Sequence, residues 1–208
     1  MSKSDAMLPA LPVQAHMSER VSNALLGLIG SRPESKATAR ATLSLAAQAA
    51  QVAAHDAAKK AAMAAGALAL PPGPLGWLTI VPEMAAVWRI QSQLVADIAA
   101  LYGRTAELGQ TQMLYCLFRH TAAQAVRDLA VRVGERMLVR PATTALMQKV
   151  VGAVGVQLSQ KVLGKSVSRW VPMVGAAAVS AYAYYDTQQV AKAAIEMFER
   201  EQIIENPD

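Results

Sequence analysis

Polar side chains recur along the first half of the chain at intervals of three and four residues. The series consists of Lys36, Arg40, Ser44, Gln48, Gln51, His55 and Lys59. Such spacing places side chains on one face of an α-helix. The opposite face would carry small residues that suit close packing: Leu43, Ala47, Ala50, Ala54, Ala57 and Ala61. We therefore predict a long helix that begins near Ser31 and Pro33, which favour a helix start, and ends near Leu68.

Prolines and glycines divide the chain after this helix. The segment from Pro71 to Gly76 must interrupt it, because proline fixes φ and lacks the backbone N–H. A second helix should run from near Pro82 to Tyr102, with Gly103 as its stop. Its apolar stripe consists of Val87, Ile90, Leu94, Ile98 and Leu101. Its polar line consists of Arg89, Gln93 and Asp97, four residues apart, and predicts polar contacts within the bundle.

Further helical segments complete the prediction. They cover about Ser18 to Ile29, Thr105 to His120, Ala123 to Leu138, residues 142–164, and Pro172 to Ile203. No stretch shows sustained β alternation. The predicted fold class is all-α, a compact multi-helix bundle with long alanine-rich helices broken at Pro71–Gly76, Pro141 and Pro172. We assign residues 1–30 to an N-terminal extension with a short helix, 31–204 to one helical domain, and 205–208 to a tail.

Composition adds a charge asymmetry. Apolar residues make up 53% of the 208 residues and charged residues 17%, which is a low charge fraction for a globular domain. Residues 104–170 carry 10 basic and 3 acidic residues, whereas 171–208 carry 2 and 6. The single cysteine, Cys116, excludes an internal disulfide and suits a reducing compartment. Without a secretory signal pattern at the N-terminus, we expect a cytoplasmic protein.

The basic excess includes a helical repeat. Arg132, Arg136 and Arg140 recur every four residues, with Arg127 nearby, so they predict a basic amphipathic helix that contacts an anionic surface. An ordinary solvated helix face is the alternative. Nucleic acid is not an expected partner, because aromatic residues do not interleave with the basic ones and the C-terminus is acidic.

One apolar segment raises the question of a membrane span. The 16 residues from Trp170 to Tyr185 carry no charge, yet as a helix they would reach only ~24 Å, against a hydrocarbon core of ~30 Å. We therefore favour a buried helix over a transmembrane one.

Candidate catalytic and metal-binding residues are few. Cys116 and His120 would share a helix face, but zinc normally needs three or four protein ligands. A Cys–His nucleophile pair would also need an orienting acid. We expect no catalytic residue, no metal ligand and no cofactor. An enzyme would require a polar pocket that gathers Arg89, Asp97, Cys116 and His120.

Two motifs resemble a known family. Residues 66–76 read Gly-Ala-Leu-Ala-Leu-Pro-Pro-Gly-Pro-Leu-Gly and precede an apolar helix that ends in Ile-Ala-Ala-Leu-Tyr-Gly at Gly103. Residues 164–176 read Gly-Lys-Ser-Val-Ser-Arg-Trp-Val-Pro-Met-Val-Gly-Ala and precede a helix that reaches Phe198. Their order and spacing resemble the EcsC family over Lys36 to Phe198.

The resemblance implies a helical bacterial protein without an established enzymatic activity. The family is named for a gene beside an ABC-transporter pair, and its C-terminal pattern is similar to that of membrane-associated proteins. The resulting hypothesis is a non-enzymatic protein linked to transport or secretion, acting at the inner face of a membrane or on an apolar ligand or partner. The alternative is a cytosolic protein–protein adaptor or a self-associating helical scaffold.

Overall fold

Five α-helices and one short 3-10 helix form the described part of the protein. The computed structural model describes residues 11–30, 33–68, 76–120, 148, 151–152, 156 and 172–205. The helices are α1 (Leu11–Gly30), α2 (Leu43–Leu68), α3 (Gly76–Leu101), the 3-10 helix Thr105–Glu107, α4 (Gln110–Phe118) and α5 (Pro172–Glu205). These ranges contain no strand, and the predicted all-α helical bundle is confirmed. The predicted break at Pro141 and the predicted helix from Ala123 to Leu138 lie outside the described residues.

Alanines of α2 form the closest helix contacts. The buried positions of α2 are Ala46, Ala50, Ala54, Ala58, Ala61 and Ala65. They pack mainly against α5 and also against α3. As predicted, α2 therefore buries a face of small residues. This face is turned about the helix axis from the predicted one, since Ala47 and Ala57 are only half-buried. Small side chains in this row let the helix backbones approach one another closely.

The close packing of α2 on α5 leads to a testable prediction. Ala54 is buried, and its carbonyl oxygen accepts a hydrogen bond from the α5 residue Gln188 at 3.3 Å. We expect Ala54→Leu to lower the free energy of unfolding by about 1–3 kcal/mol, because extra methylenes overpack a tight helix contact. Urea denaturation followed by circular dichroism measures the change. The matched control is Ala67→Leu at an exposed position of α2. Equal stability of the two variants would contradict a tight contact at Ala54.

The predicted start of α2 near Ser31 was wrong. Residues 33–40 are not helical, and α2 begins at Leu43. The Ser35 hydroxyl accepts a hydrogen bond from the backbone N–H of Ala37 at 3.0 Å, a local turn that competes with helix formation. The Arg40 N–H donates to the carbonyl oxygen of Leu101 at 3.0 Å, at the C-terminal end of α3. A tertiary contact thus holds the segment in a non-helical path.

Both helices that flank this segment have identifiable ends. The hydroxyl of Thr42 accepts a hydrogen bond from the N–H of Leu45 at 3.3 Å and caps α2. Gly103 adopts φ +72° after α3, while the N–H of Arg104 donates to the carbonyl oxygen of Ala99 at 2.7 Å. This is a Schellman-type helix end, so the prediction of Gly103 as the stop is confirmed. The helix itself begins at Gly76, six residues before the expected Pro82.

The predicted helix from Thr105 to His120 is interrupted. The 3-10 helix Thr105–Glu107 comes first, stabilised by an Arg104–Glu107 ion pair at 2.6 Å, and α4 starts only at Gln110. The side-chain oxygen of Gln112 accepts a hydrogen bond from the N–H of Gly109 at 3.1 Å, which marks a new helix start.

A mixed aliphatic and aromatic core lies where α1, α3, α4 and α5 meet. Phe118 at the end of α4 packs edge-to-face on Trp88 of α3, with ring centroids 5.7 Å apart. Phe198 of α5 is fully buried in the same core. Val21 and Leu25 of α1 are also buried there, so the helix predicted near Ser18 to Ile29 forms over Leu11–Gly30 and contributes to the core.

Candidate functional site

Two residues of the predicted polar line of α3, Gln93 and Asp97, form hydrogen bonds with the non-helical segment 33–40. The amide of Gln93 donates to the carbonyl oxygen of Glu34 at 3.1 Å and to the carboxylate of Asp97 at 3.0 Å. The hydroxyl of Ser35 donates to the same carboxylate oxygen at 2.6 Å. Arg89, the third member of the line, is exposed and takes no part in these hydrogen bonds. Gln93 and Asp97 therefore have a structural role that the spacing alone did not specify.

An open groove of about 690 Å³ lies beside this contact. Segment 33–40, α2 and α3 form its walls. Five of its lining residues are charged: Glu34, Lys36, Arg40, Asp56 and Asp97. Its apolar lining consists of Ala37, Ala49, Val52, Ala53 and Leu101. Both signs of charge are present, so the groove does not resemble a closed apolar cavity of the kind that would carry a lipid.

The four residues named for a possible enzyme are not gathered in this groove. Asp97 lines it, whereas Arg89, Cys116 and His120 do not. Cys116 is fully buried, with its sulfur 4.0 Å from that of Met197. His120 pairs with Asp186 instead. The arginines predicted to contact an anionic surface, Arg127, Arg132, Arg136 and Arg140, lie outside the described residues.

A buried polar cluster joins α3, α5 and the residues just after α4. The Asp186 carboxylate lies 2.7 Å from Nε2 of His120 and accepts a hydrogen bond from Nε2 of Gln91 at 2.7 Å. The Gln91 amide also donates to the hydroxyl of Thr187 at 3.2 Å, and that hydroxyl donates to the carbonyl oxygen of Ala183 at 2.8 Å. Gln91 and Thr187 are buried, which makes this the most enclosed polar group in the described residues.

Tyr182 adds a third contact to the same carboxylate. Its hydroxyl hydrogen-bonds to Asp186, and its pKa is raised by burial and then by the negative charge of Asp186. A raised pKa keeps the phenol neutral, so that it donates to the carboxylate. Asp186 thus receives donors from three directions, which is how a partly buried carboxylate avoids an uncompensated charge.

Two atoms of the cluster lack partners. Oε1 of Gln91 and Nδ1 of His120 are buried and find no hydrogen-bond partner among the described residues. The orientation of the Gln91 amide is nevertheless well determined, because a flipped amide would place its oxygen against the Asp186 carboxylate. The cluster therefore has spare hydrogen-bonding capacity at a buried position, although its donors are directed at the Asp186 carboxylate and the Thr187 hydroxyl.

Sequence reasoning did not find this cluster. The residue pattern assigned Gln91 no role and placed His120 with Cys116. The available signal was Asp186 itself, the first charged residue after 16 uncharged ones on a helix. An acid at such a position needs buried donors, and these come from distant parts of the chain.

The first half of α5 exposes an uncharged face. Ala177, Ala178, Ala181, Tyr182 and Tyr185 are all exposed and recur with the spacing of one helix face. Tyr185 is 61% exposed and Tyr182 is 47% exposed. The prediction of a buried helix from Trp170 to Tyr185 is therefore wrong for these five positions.

Among residues 11–30, 33–68, 76–120 and 172–205, no helix combines the length and apolarity required to cross a membrane. Within the same described ranges, no three histidine, cysteine or acidic side chains come together as metal ligands.

Comparison with known proteins identifies one relationship. The model of the EcsC protein family matches residues 1–200. No curated protein and no solved structure matches the chain.

Proposed function

Because this chain belongs to the EcsC protein family, we propose that it is a non-enzymatic helical protein that acts at the inner face of a membrane. The observation that carries the proposal is the exposed, uncharged face of α5. An exposed tyrosine such as Tyr185 suits a membrane interface, because its ring is apolar and its hydroxyl stays hydrated. Burying the five-residue face beneath lipid headgroups would remove apolar area from water at no cost in charge desolvation.

The charge of the sequence before α5 supports the same membrane contact. Residues 104–170, which lead into α5, carry 10 basic and 3 acidic residues. Arg127, Arg132, Arg136 and Arg140 belong to this stretch. Basic residues near a membrane surface add about 1 kcal/mol each through attraction to anionic lipid. The apolar face of α5 would then insert beneath the lipid headgroups, and the basic stretch would be attracted to anionic lipid.

The groove and the buried cluster support a surface role over the alternatives. Five charged side chains line the groove, which argues against an internal carrier of an apolar ligand. The donors of the buried cluster are directed at Asp186, which argues for a structural role rather than for reaction chemistry. We therefore propose that the contact occurs on the outside of the bundle.

Vesicle flotation tests the proposal. We expect the full-length chain to float with vesicles that contain anionic phospholipid at low salt, less so at high salt because ions screen the attraction. Tyr185→Ser should weaken recovery by roughly three- to tenfold, as expected for the loss of about 1 kcal/mol of apolar burial. The matched control is Leu26→Ser, at an exposed apolar position of α1.

Two outcomes would count against this function. Absence of the protein from the floating fraction at both salt concentrations would exclude a membrane surface as the target. Equal loss of flotation in Tyr185→Ser and Leu26→Ser would exclude the α5 face as the contact. Binding to a partner protein without binding to vesicles would favour the adaptor alternative.

A further inference from the structure

The outer face of α2 carries large side chains, whereas its inner face carries alanine. Val52 is 64% exposed and Met63 is 71% exposed. Along this outer face, steps of four, three, four, three and four residues connect one row: Leu45, Ala49, Val52, Asp56, Lys59 and Met63. Alternating steps of four and three are the spacing by which one helix meets another along a continuous seam. We refer to this row as the α2 seam.

The order of residue types along the α2 seam is self-complementary. From Val52 to Met63 it reads apolar, acidic, basic, apolar. A second copy of the helix, laid antiparallel about a twofold axis between Ala57 and Ala58, would place Val52 opposite Met63 and Asp56 opposite Lys59. Each contact would occur twice, as twofold symmetry requires. A parallel arrangement would instead place each charge opposite its own copy.

The charged pair is available for such a contact. Asp56 and Lys59 are exposed, and within the described residues neither forms an ion pair with another side chain. The row is also long enough for such a contact. Residues 45–63 span about 27 Å of helix, which is about five turns.

We propose that the α2 seam is a self-association surface and that its partner is a second copy of this chain in antiparallel orientation. The proposal does not depend on a membrane role, since the seam and the α5 face are different surfaces. One helix pair gives a contact at the small end of specific interfaces. We therefore expect a reversible dimer whose population rises with protein concentration.

Sedimentation equilibrium of the full-length chain without lipid tests the proposal over roughly 5–500 µM, a range chosen for a small interface. We expect Asp56→Lys and Lys59→Asp each to weaken the dimer at least about tenfold, because both copies of the charge contact become repulsive. The double variant Asp56→Lys/Lys59→Asp restores opposite charges and should restore the dimer. Lys192→Asp, at an exposed position of α5, is the charge-matched control and should leave the dimer unchanged.

Three results would overturn the inference. They are a monomeric mass for the unaltered chain at every concentration, single variants that dimerise as well as the unaltered chain, and a double variant that stays monomeric. Circular dichroism spectra check that each variant remains helical. Vesicle flotation of the unaltered chain separates the two proposals, because an unaltered chain that floats but stays monomeric contradicts only the dimer.

Discussion

Replacing Phe118 by alanine is expected to lower the free energy of unfolding by about 3–5 kcal/mol, as is typical for removal of a buried aromatic ring. Phe118 is buried at the last position of α4 and contacts Trp88 edge-to-face. Its removal would leave a cavity and also remove the ring–ring contact. The total stability of a domain is about 5–15 kcal/mol, so the loss would be a large part of it.

Urea denaturation followed by circular dichroism measures this effect. Phe118→Leu should be less destabilising, because leucine fills much of the volume but lacks the ring. Tyr185→Ala is the control, since that aromatic side chain is mostly exposed. A loss below about 1 kcal/mol in Phe118→Ala would mean that α4 does not anchor the core as the structure indicates.

Replacing Asp186 by alanine is expected to cost about 2–4 kcal/mol, because the buried amide of Gln91 would lose an acceptor and His120 would lose its partner. Asp186→Asn should cost less, about 1–2 kcal/mol. The asparagine oxygen can still accept a hydrogen bond, but its NH₂ group would face at least one of the remaining donors.

A double-mutant cycle distinguishes a cluster from two independent contacts. Asp186→Ala and Gln91→Ala together should cost less than the sum of the single variants, since either change alone leaves a polar group unpaired. Asp56→Ala, at an exposed position, serves as the control. Additive losses, or a loss in Asp186→Ala no larger than in the control, would refute a structural role for the cluster.

Family membership and fold class could be predicted from the sequence, because both depend on local information. Proline and glycine positions define helix ends wherever local chemistry decides them, as at Gly103 and Pro172. The spacing of Gln93 and Asp97 also indicated that they share a face of α3. For segment 33–40 the same reasoning failed, because the Arg40–Leu101 hydrogen bond and the Ser35–Asp97 hydrogen bond join residues about sixty positions apart.

The sequence by itself determined an alanine-rich helical bundle, the helix end at Gly103, the helix start at Pro172 and the relationship to a family. Helical periodicity and the backbone limits of proline and glycine act over a few residues, so they can be read along the chain. Only the tertiary structure decided which side of each helix faces water and which distant polar groups meet. Gln91, His120 and Asp186 form one cluster because α3, α4 and α5 pack together. Buried hydrogen bonds depend on that packing, and no pattern within a single helix encodes it.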